Sequence, residues 1–301
     1  MSSAPGKVSV RRWQAGASST DSDTVAIEEP LELRVAGRSV AVVMRTPGHD
    51  RELAAGFLLT EGVIRHADDV IDILPCRDQA GGASGNVINA VLGLAAPVDF
   101  DRLTRHVFSS SSCGVCGKAT LDAVLQTFPP VSPGPVFDPA RLAELPARLR
   151  AAQPVFARTG GLHGCALFNQ TGELEFVRED VGRHNALDKV LGRALLDRRL
   201  PLSAHGLLLS GRISFELVQK ALAAGVPLVA GIGAPSSLAI ECAVRGRLTL
   251  VGFLRADRMN IYCGEARLHL GDPTSSATAA AGRTSVKPDS CDRTPRRNDA
   301  E

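Results

Sequence analysis

The sequence predicts an α/β protein, built as a small α+β unit followed by a larger domain with a mixed sheet. Three observations predict it. From Gly206 to Phe253, short apolar runs alternate with amphipathic stretches in β-α-β-α-β order, which places parallel strands in one sheet with helices on both faces. Before residue 108, runs of strand character flank a single strong helical pattern. Between the two, Pro129-Pro-Val-Ser-Pro-Gly-Pro135 reads as a stiff spacer and a domain boundary. The expected organisation is a disordered N-terminus over 1–23, an α+β domain over 24–108, a cysteine loop, helix and spacer over 109–135, an α/β domain over 136–270, and a disordered tail over 271–301.

Met1 to Asp23 is rich in Ser, Ala and Gly without sustained periodicity, hence the expectation of disorder. Glu32–Val35 and Ser39–Met44, joined by Ala36-Gly-Arg38, read as a β-hairpin. Thr46-Pro-Gly-His-Asp50 is a turn that ends in a helix-capping Asp50. The helix carries Leu53, Ala54, Phe57, Leu58 and Val63 at the 3.6 period. Asp72–Leu74 and Asn86–Leu92 read as strands separated by a Gly-rich loop, and Lys118–Leu125 as a short helix after the cysteines.

In the second half, Pro139–Gln153 is a helix with Pro in its first turn, stopped by Pro154. Gly164–Phe168 and Glu173–Val177 pair through Asn169-Gln-Thr-Gly172, and Asp180–Asp197 forms a long helix. Strands at Gly206–Ser210, Pro227–Ala230 and Leu248–Phe253 then alternate with helices at Ser214–Ala224 and Ser236–Val244, and Asn260–Tyr262 adds a last strand.

Composition narrows the function classes. Lys and Arg total 34 against 32 Asp and Glu, a net charge of +2 that argues against nucleic acid or a membrane surface as the main partner. Met1–Gln14 has no apolar leader core, and the most apolar stretch, Ala221–Val244, is interrupted by Gly225, Pro227, Gly231, Gly233 and Pro235, so the expectation is a cytoplasmic protein. Seven cysteines at irregular spacing are not a disulfide framework.

The chemistry is expected first at Cys113-Gly-Val-Cys116, preceded by four serines and followed by Gly117. Such a pair can ligate a metal, cycle between dithiol and disulfide, or present one activated thiolate. Zinc would need two more ligands, with Cys165, His163 or His184 as candidates, but no second closely spaced Cys/His pair exists. A thioredoxin-type centre would place its CxxC directly after an apolar strand, not after serines. A second expected locus is the carboxyl edge of the sheet, where open α/β folds bind ligands. Ser210-Gly211-Arg212 and Gly231-Ile-Gly233 each follow a strand and open a helix, which suits an anion cradle or an ordinary Ser-capped loop. Phe253-Leu254-Arg255-Ala256-Asp257-Arg258 adds two guanidiniums beyond a third strand. Arg178–Asn185 concentrates ionisable groups, including His184, that suit either a ligand site or an N-capping cluster, and His163 could reach the same crevice.

Taken together, Arg45-Thr-Pro-Gly-His-Asp50, Glu52-Leu-Ala-Ala-Gly-Phe57, Glu61-Gly62, Cys113–Gly117, Thr159-Gly-Gly-Leu-His163, Glu179–Lys189, Ser210–Arg212 and Phe253–Tyr262 resemble the FdhD family, the formate dehydrogenase accessory sulfurtransferases. The resemblance implies a second domain of cytidine deaminase-like three-layer form, without the HxE and PCxxC zinc signature of deaminases. It implies that Cys113 accepts sulfur as a persulfide from a cysteine desulfurase, with Cys116 as its partner. The sulfur would pass to a molybdenum or tungsten bis-pterin guanine dinucleotide cofactor destined for formate dehydrogenase. By the same resemblance Phe253–Arg258 would bind the guanine dinucleotide, no tightly bound metal would belong to the protein itself, and a homodimer is open.

Overall fold

The computed structural model describes residues 5–77, 83–93 and 128–270. Cys113, Cys116, Cys291, the expected helix at 118–125 and the expected tail at 271–301 lie outside the described residues. The first departure from expectation is at the N-terminus. β1 (Gly6–Gln14) and β2 (Ala17–Val25) pair antiparallel over their whole length, where disorder is expected. The turn between them is Ala15-Gly16, both at positive φ, a primed geometry that matches strand twist. The ribbon is exposed along nearly all of both strands, with Trp13 73% accessible. With no buried face it has no alternation to show in the sequence.

β3 (Glu29–Val35) and β4 (Arg38–Arg45) form the expected hairpin around Ala36-Gly37. With β5 (Val70–Arg77) and β6 (Ala83–Leu92) they make a four-stranded sheet ordered β4-β3-β6-β5, in which β3 and β6 run parallel. Period-2 alternation buries Leu31, Leu33, Val35, Ile73, Ile88 and Ala90 on one face. Against that face lies α1 (Asp50–Thr60), buried from Glu52 to Thr60 because the sheet covers one side and the second half of the chain the other.

Residues from Phe128 onward build a six-stranded mixed sheet ordered β12-β11-β10-β9-β7-β8. Its centre is parallel: β9 (Gly206–Leu209), β10 (Leu228–Gly231) and β11 (Thr249–Gly252). β7 (His163–Phe168) and β8 (Leu174–Asp180) flank it antiparallel on one side, and β12 (Asn260–Cys263) on the other. The strands are apolar on both faces, as a covered sheet requires. Leu207, Leu209, Val229 and Leu250 point to α4 (Arg183–Leu196), α5 (Phe215–Ala223) and α6 (Ser237–Arg245), whereas Leu208, Leu228, Ala230 and Val251 point to α2 (Pro139–Ala151). This is the expected three-layer arrangement. Pro154 ends α2 but also starts α3 (Pro154–Thr159), a second short helix with Pro at its first turn.

The Pro-rich stretch does not separate two cores. Phe128 and Val131 join the cluster that runs from Leu31 to Leu250, and Val131 donates to the Gly246 carbonyl at 3.0 Å. The two halves meet at α1 and α4, which cross with backbone in contact. A Cβ on Gly56 would overlap the Asp188 carbonyl, and one on Gly192 would overlap that of Glu52. Both positions therefore require glycine.

Candidate functional site

The carboxyl ends of β9, β10 and β11 open into three adjacent loops, and the start of β7 and the β8–α4 junction complete the same edge. The loops are laced to one another by their backbones. Gly233 N–H donates to Gly211 O at 3.0 Å, Phe253 N–H to Gly233 O at 3.1 Å, and Leu254 N–H to Gly231 O at 3.1 Å. A Cβ at Gly233 would lie 2.8 Å from Arg212 N, and one at Gly231 would lie 2.7 Å from the Ile213 side chain. The two glycines thus serve close loop packing, and the Gly233 N–H expected to face an anion is already spent. Among the other predicted positions, Leu254 is buried beneath the edge in the core. Arg255 uses Nη1 on the carbonyls of Ile232 at 2.7 Å and Leu254 at 2.8 Å, so it fastens its own loop. Phe253 holds positive φ and an exposed ring, and Ala256, Asp257, Arg258 and Arg212 face solvent. Ser210 Oγ accepts from Gly164 N–H at 2.9 Å and ties β9 to the start of β7.

The polar run Arg178–Asn185 divides into structural and unsatisfied members. Arg178 forks onto Glu52 through Nε and Nη2, at 2.5 and 2.8 Å. Burial would raise the Glu52 carboxyl, but this fork and His49 outweigh it and bring it down to about 2. Glu179 accepts the first N–H groups of α3, from Val155 at 3.1 Å and Phe156 at 2.7 Å. Asp180, fully buried, accepts from Thr46 N–H, Gly182 N–H and Asn185, and pairs with Lys189 at 2.7 Å. Lys189 also donates to Thr46 O at 2.8 Å, and Asn185 to Met44 O at 2.7 Å. The Arg45–Asp50 loop is thereby pinned onto the start of α4. Asp50 is not a cap: His49 holds that position in left-handed backbone, and Asp50 receives Nε and Nη2 of Arg45.

What remains at the edge is a basic cluster. His184 Nε2 lies 3.4 Å from Ser214 Oγ and 4.0 Å from Glu216. Burial, then the positive charge of Lys220 and Arg183, lowers His184 to about 4. Burial, then Arg183 and Arg212, also lowers His163. Both imidazoles are neutral at physiological pH and can accept or donate one hydrogen bond. His163 also lines a cleft of about 450 Å³ with Arg150, Gln153, Phe156, Leu162 and Ser210. Arg183 and the cleft residues Arg150 and Phe156 were not distinguished by the sequence. The only signal for Arg183 was its place in an over-charged run, and the cleft depends on the second helix that begins at Pro154.

Among the described residues no group of three or more His, Cys, Asp or Glu side chains is placed to hold a metal ion. Cys165, a candidate zinc ligand by sequence, is buried in the core with its thiol pushed up by burial. No helix of the described residues is long and apolar enough to cross a membrane.

Comparison with known proteins gives concordant matches. Residues 26–269 match the sequence model of the FdhD/NarQ family. The sulfur carrier protein FdhD of Streptomyces avermitilis is 52% identical over 270 residues, covering 87% of this chain and 94% of that protein. The protein of the same name from Mycobacterium tuberculosis is 51% identical over 270 residues, covering 86% and 96%. A crystal structure of a candidate formate dehydrogenase accessory protein from Desulfotalea psychrophila superposes with a TM-score of 0.71 at 27% identity, covering 88% of this chain and all of that one.

Proposed function

Since the chain belongs to the FdhD/NarQ family, we propose that it is a sulfur carrier that serves formate dehydrogenase, loading sulfur on Cys113 and delivering it to a cofactor bound at the sheet edge. The observation that carries this reading is that Cys113-Gly-Val-Cys116 lies inside the family match over residues 26–269. In the loading step the Cys113 thiolate attacks the terminal sulfur of a persulfide on a cysteine desulfurase. The donor's S–S bond breaks, the donor leaves as thiolate, and Cys113 becomes the persulfide with no net redox change. In the unloading step the Cys116 thiolate attacks the inner sulfur of Cys113. A Cys113–Cys116 disulfide forms, the terminal sulfur departs as hydrosulfide, and a cellular thiol reductant restores the pair.

The cargo is a molybdenum or tungsten bis-pterin guanine dinucleotide cofactor, a substrate of the carrier and not a resident group. Arg212, Phe253, Arg258 and His184 are the predicted binding residues whose side chains face the edge, whereas Gly231, Gly233, Leu254 and Arg255 hold the loops that present them. In a host lacking its own copy of this protein, Cys113→Ala and Cys116→Ala are expected to abolish formate dehydrogenase activity while the apoenzyme still accumulates. Full activity with Cys113→Ala would leave a cofactor-binding chaperone without sulfur transfer.

A further inference from the structure

The two faces of the β1–β2 ribbon differ in character. Residues directly opposite in the register share a face, so Lys7, Ser9, Arg11 and Trp13 lie with Thr24, Ser22, Thr20 and Ser18, whereas Val8 and Val10 lie with Asp23 and Asp21. Both carboxylates of the ribbon are therefore on the second face, where Arg12 pairs with Asp21 at 3.3 Å. The first face carries two cations and no carboxylate. Neither Lys7 nor Arg11 has an ion-pair partner among the described residues. Every member of this face except Thr24 is exposed, and at about 3.3 Å per residue Lys7 to Trp13 spans a strip about 20 Å long.

A two-stranded ribbon is marginally stable by itself. This one rests on the body at its base, where β2 meets α3 and a Cβ on Gly161 would meet Ala26 at 3.5 Å. Phe156 of α3 and Gly160, Gly161 and Leu162 after it also line the cleft at the sheet edge. A protein seated on the ribbon therefore stands beside the edge assigned above to the cargo.

The side chains select the class of partner. Trp and Arg are the residues that most often anchor protein–protein interfaces, and a row of hydroxyls offers hydrogen bonds at their margin. An anionic membrane would find two cations and a single ring to insert, fewer than stable anchoring takes. A nucleic-acid strand would need successive rings for its bases, and the strip has one.

We propose that the Lys7–Trp13 face of the ribbon is a docking surface for an acidic face of formate dehydrogenase apoenzyme, with Trp13 as anchor and Lys7 and Arg11 steering the encounter. The proposal rests on the reading of the chain as a carrier that serves formate dehydrogenase.

Trp13 is the chain's only tryptophan, so the full chain made with 5-fluorotryptophan gives one fluorine resonance that reports on this face alone. On titration with unlabelled apoenzyme that resonance is expected to shift or broaden, and calorimetry with the unlabelled chain gives the affinity. Lys7→Glu combined with Arg11→Glu, and Trp13→Ala alone, are each expected to lose about tenfold or more in affinity. Raising salt from about 0.05 to about 0.5 M weakens the wild type and scarcely affects the charge-reversed variant. Val8→Thr, on the opposite face, stays within about threefold of wild type. All these positions are exposed, so the variants are expected to keep the wild-type thermal transition. A wild-type chain that does not bind the apoenzyme overturns the proposal, as does unchanged affinity in both the charge-reversed and the Trp13 variants. A Trp13 resonance moved by vesicles of phosphatidylserine and phosphatidylcholine, and not by the apoenzyme, assigns the face to lipid and overturns it too. Sulfur loading of Cys113 in the same proteins separates the two readings. A chain that takes sulfur while its binding ignores the ribbon variants refutes only the docking surface, and ribbon-dependent binding without sulfur on Cys113 refutes only the carrier function.

Discussion

The α1–α4–α5 interior and the sheet edge carry the same residue types to opposite ends. In the interior, Lys220 donates to both oxygens of Asp188, at 2.9 and 2.8 Å, and to Thr60 Oγ1 at 2.8 Å, with Thr60 in turn 3.0 Å from Asp188. Every charge there has a partner of opposite sign. A few residues away along α4, Arg183 has a buried N–H with no partner among the described residues, beside Arg212 and two imidazoles. Burial penalises a charge in either place. The interior meets that penalty with ion pairs, whereas at the edge Arg183 Nε has no such partner among the described residues.

The comparison breaks most visibly if the interior triad is opened. Asp188→Ala leaves Lys220 buried and unpaired and is expected to cost about 4 kcal/mol in denaturant unfolding, whereas Asp188→Leu combined with Lys220→Met recovers most of it. A loss below about 1 kcal/mol for the single variant would mean that the triad contributes little. Gly192→Ala forces α4 away from the Glu52 carbonyl and is expected to destabilise by about 2 kcal/mol.

Acid titration sharpens the same contrast. His184 titrates near 4 in the folded chain and near 6.5 when unfolded, so the unfolded state takes the proton first and stability falls as pH drops from 6.5 toward 4. Glu52 titrates near 2 when folded against 4.5 unfolded, so its contribution is present above pH 4.5 and is lost as pH falls from there through 2. That second loss is about 3 kcal/mol and should disappear in Glu52→Gln. A stability that is flat from pH 7 to 4 would contradict the buried, crowded placement of His184. The smallest effect is expected at the edge itself, where exposed Arg212→Gln changes stability by less than about 0.5 kcal/mol.

Much of the fold was legible because its elements are amphipathic or apolar. The Ala36-Gly37 hairpin, α1 and the β-α-β-α-β order of the second half follow directly from periodicity. The β1–β2 ribbon was not legible, since an exposed ribbon obeys no burial pattern. The shared core was hidden for a different reason: a Pro-rich stretch looks the same whether it spans solvent or packs, as Val131 does here. At the site, sequence could name the charged run at 178–185 but not divide it. Asn185 and Lys189 lie four residues apart and share the helix face that grips the Met44–Thr46 loop, whereas Arg183 and His184 turn to the edge. Arg255 illustrates the converse, since a guanidinium suited to phosphate in one dimension is consumed by two carbonyls in three.

The central claim, that sulfur is carried on Cys113, is tested most directly by mass spectrometry. The full chain and Cys113→Ala are incubated with a cysteine desulfurase and cysteine, then digested and measured without reductant. The account predicts an added sulfur on the Cys113–Cys116 peptide of the wild type and none on that of the variant. No adduct on the wild type with an active desulfurase, or an adduct that persists in Cys113→Ala, would contradict it.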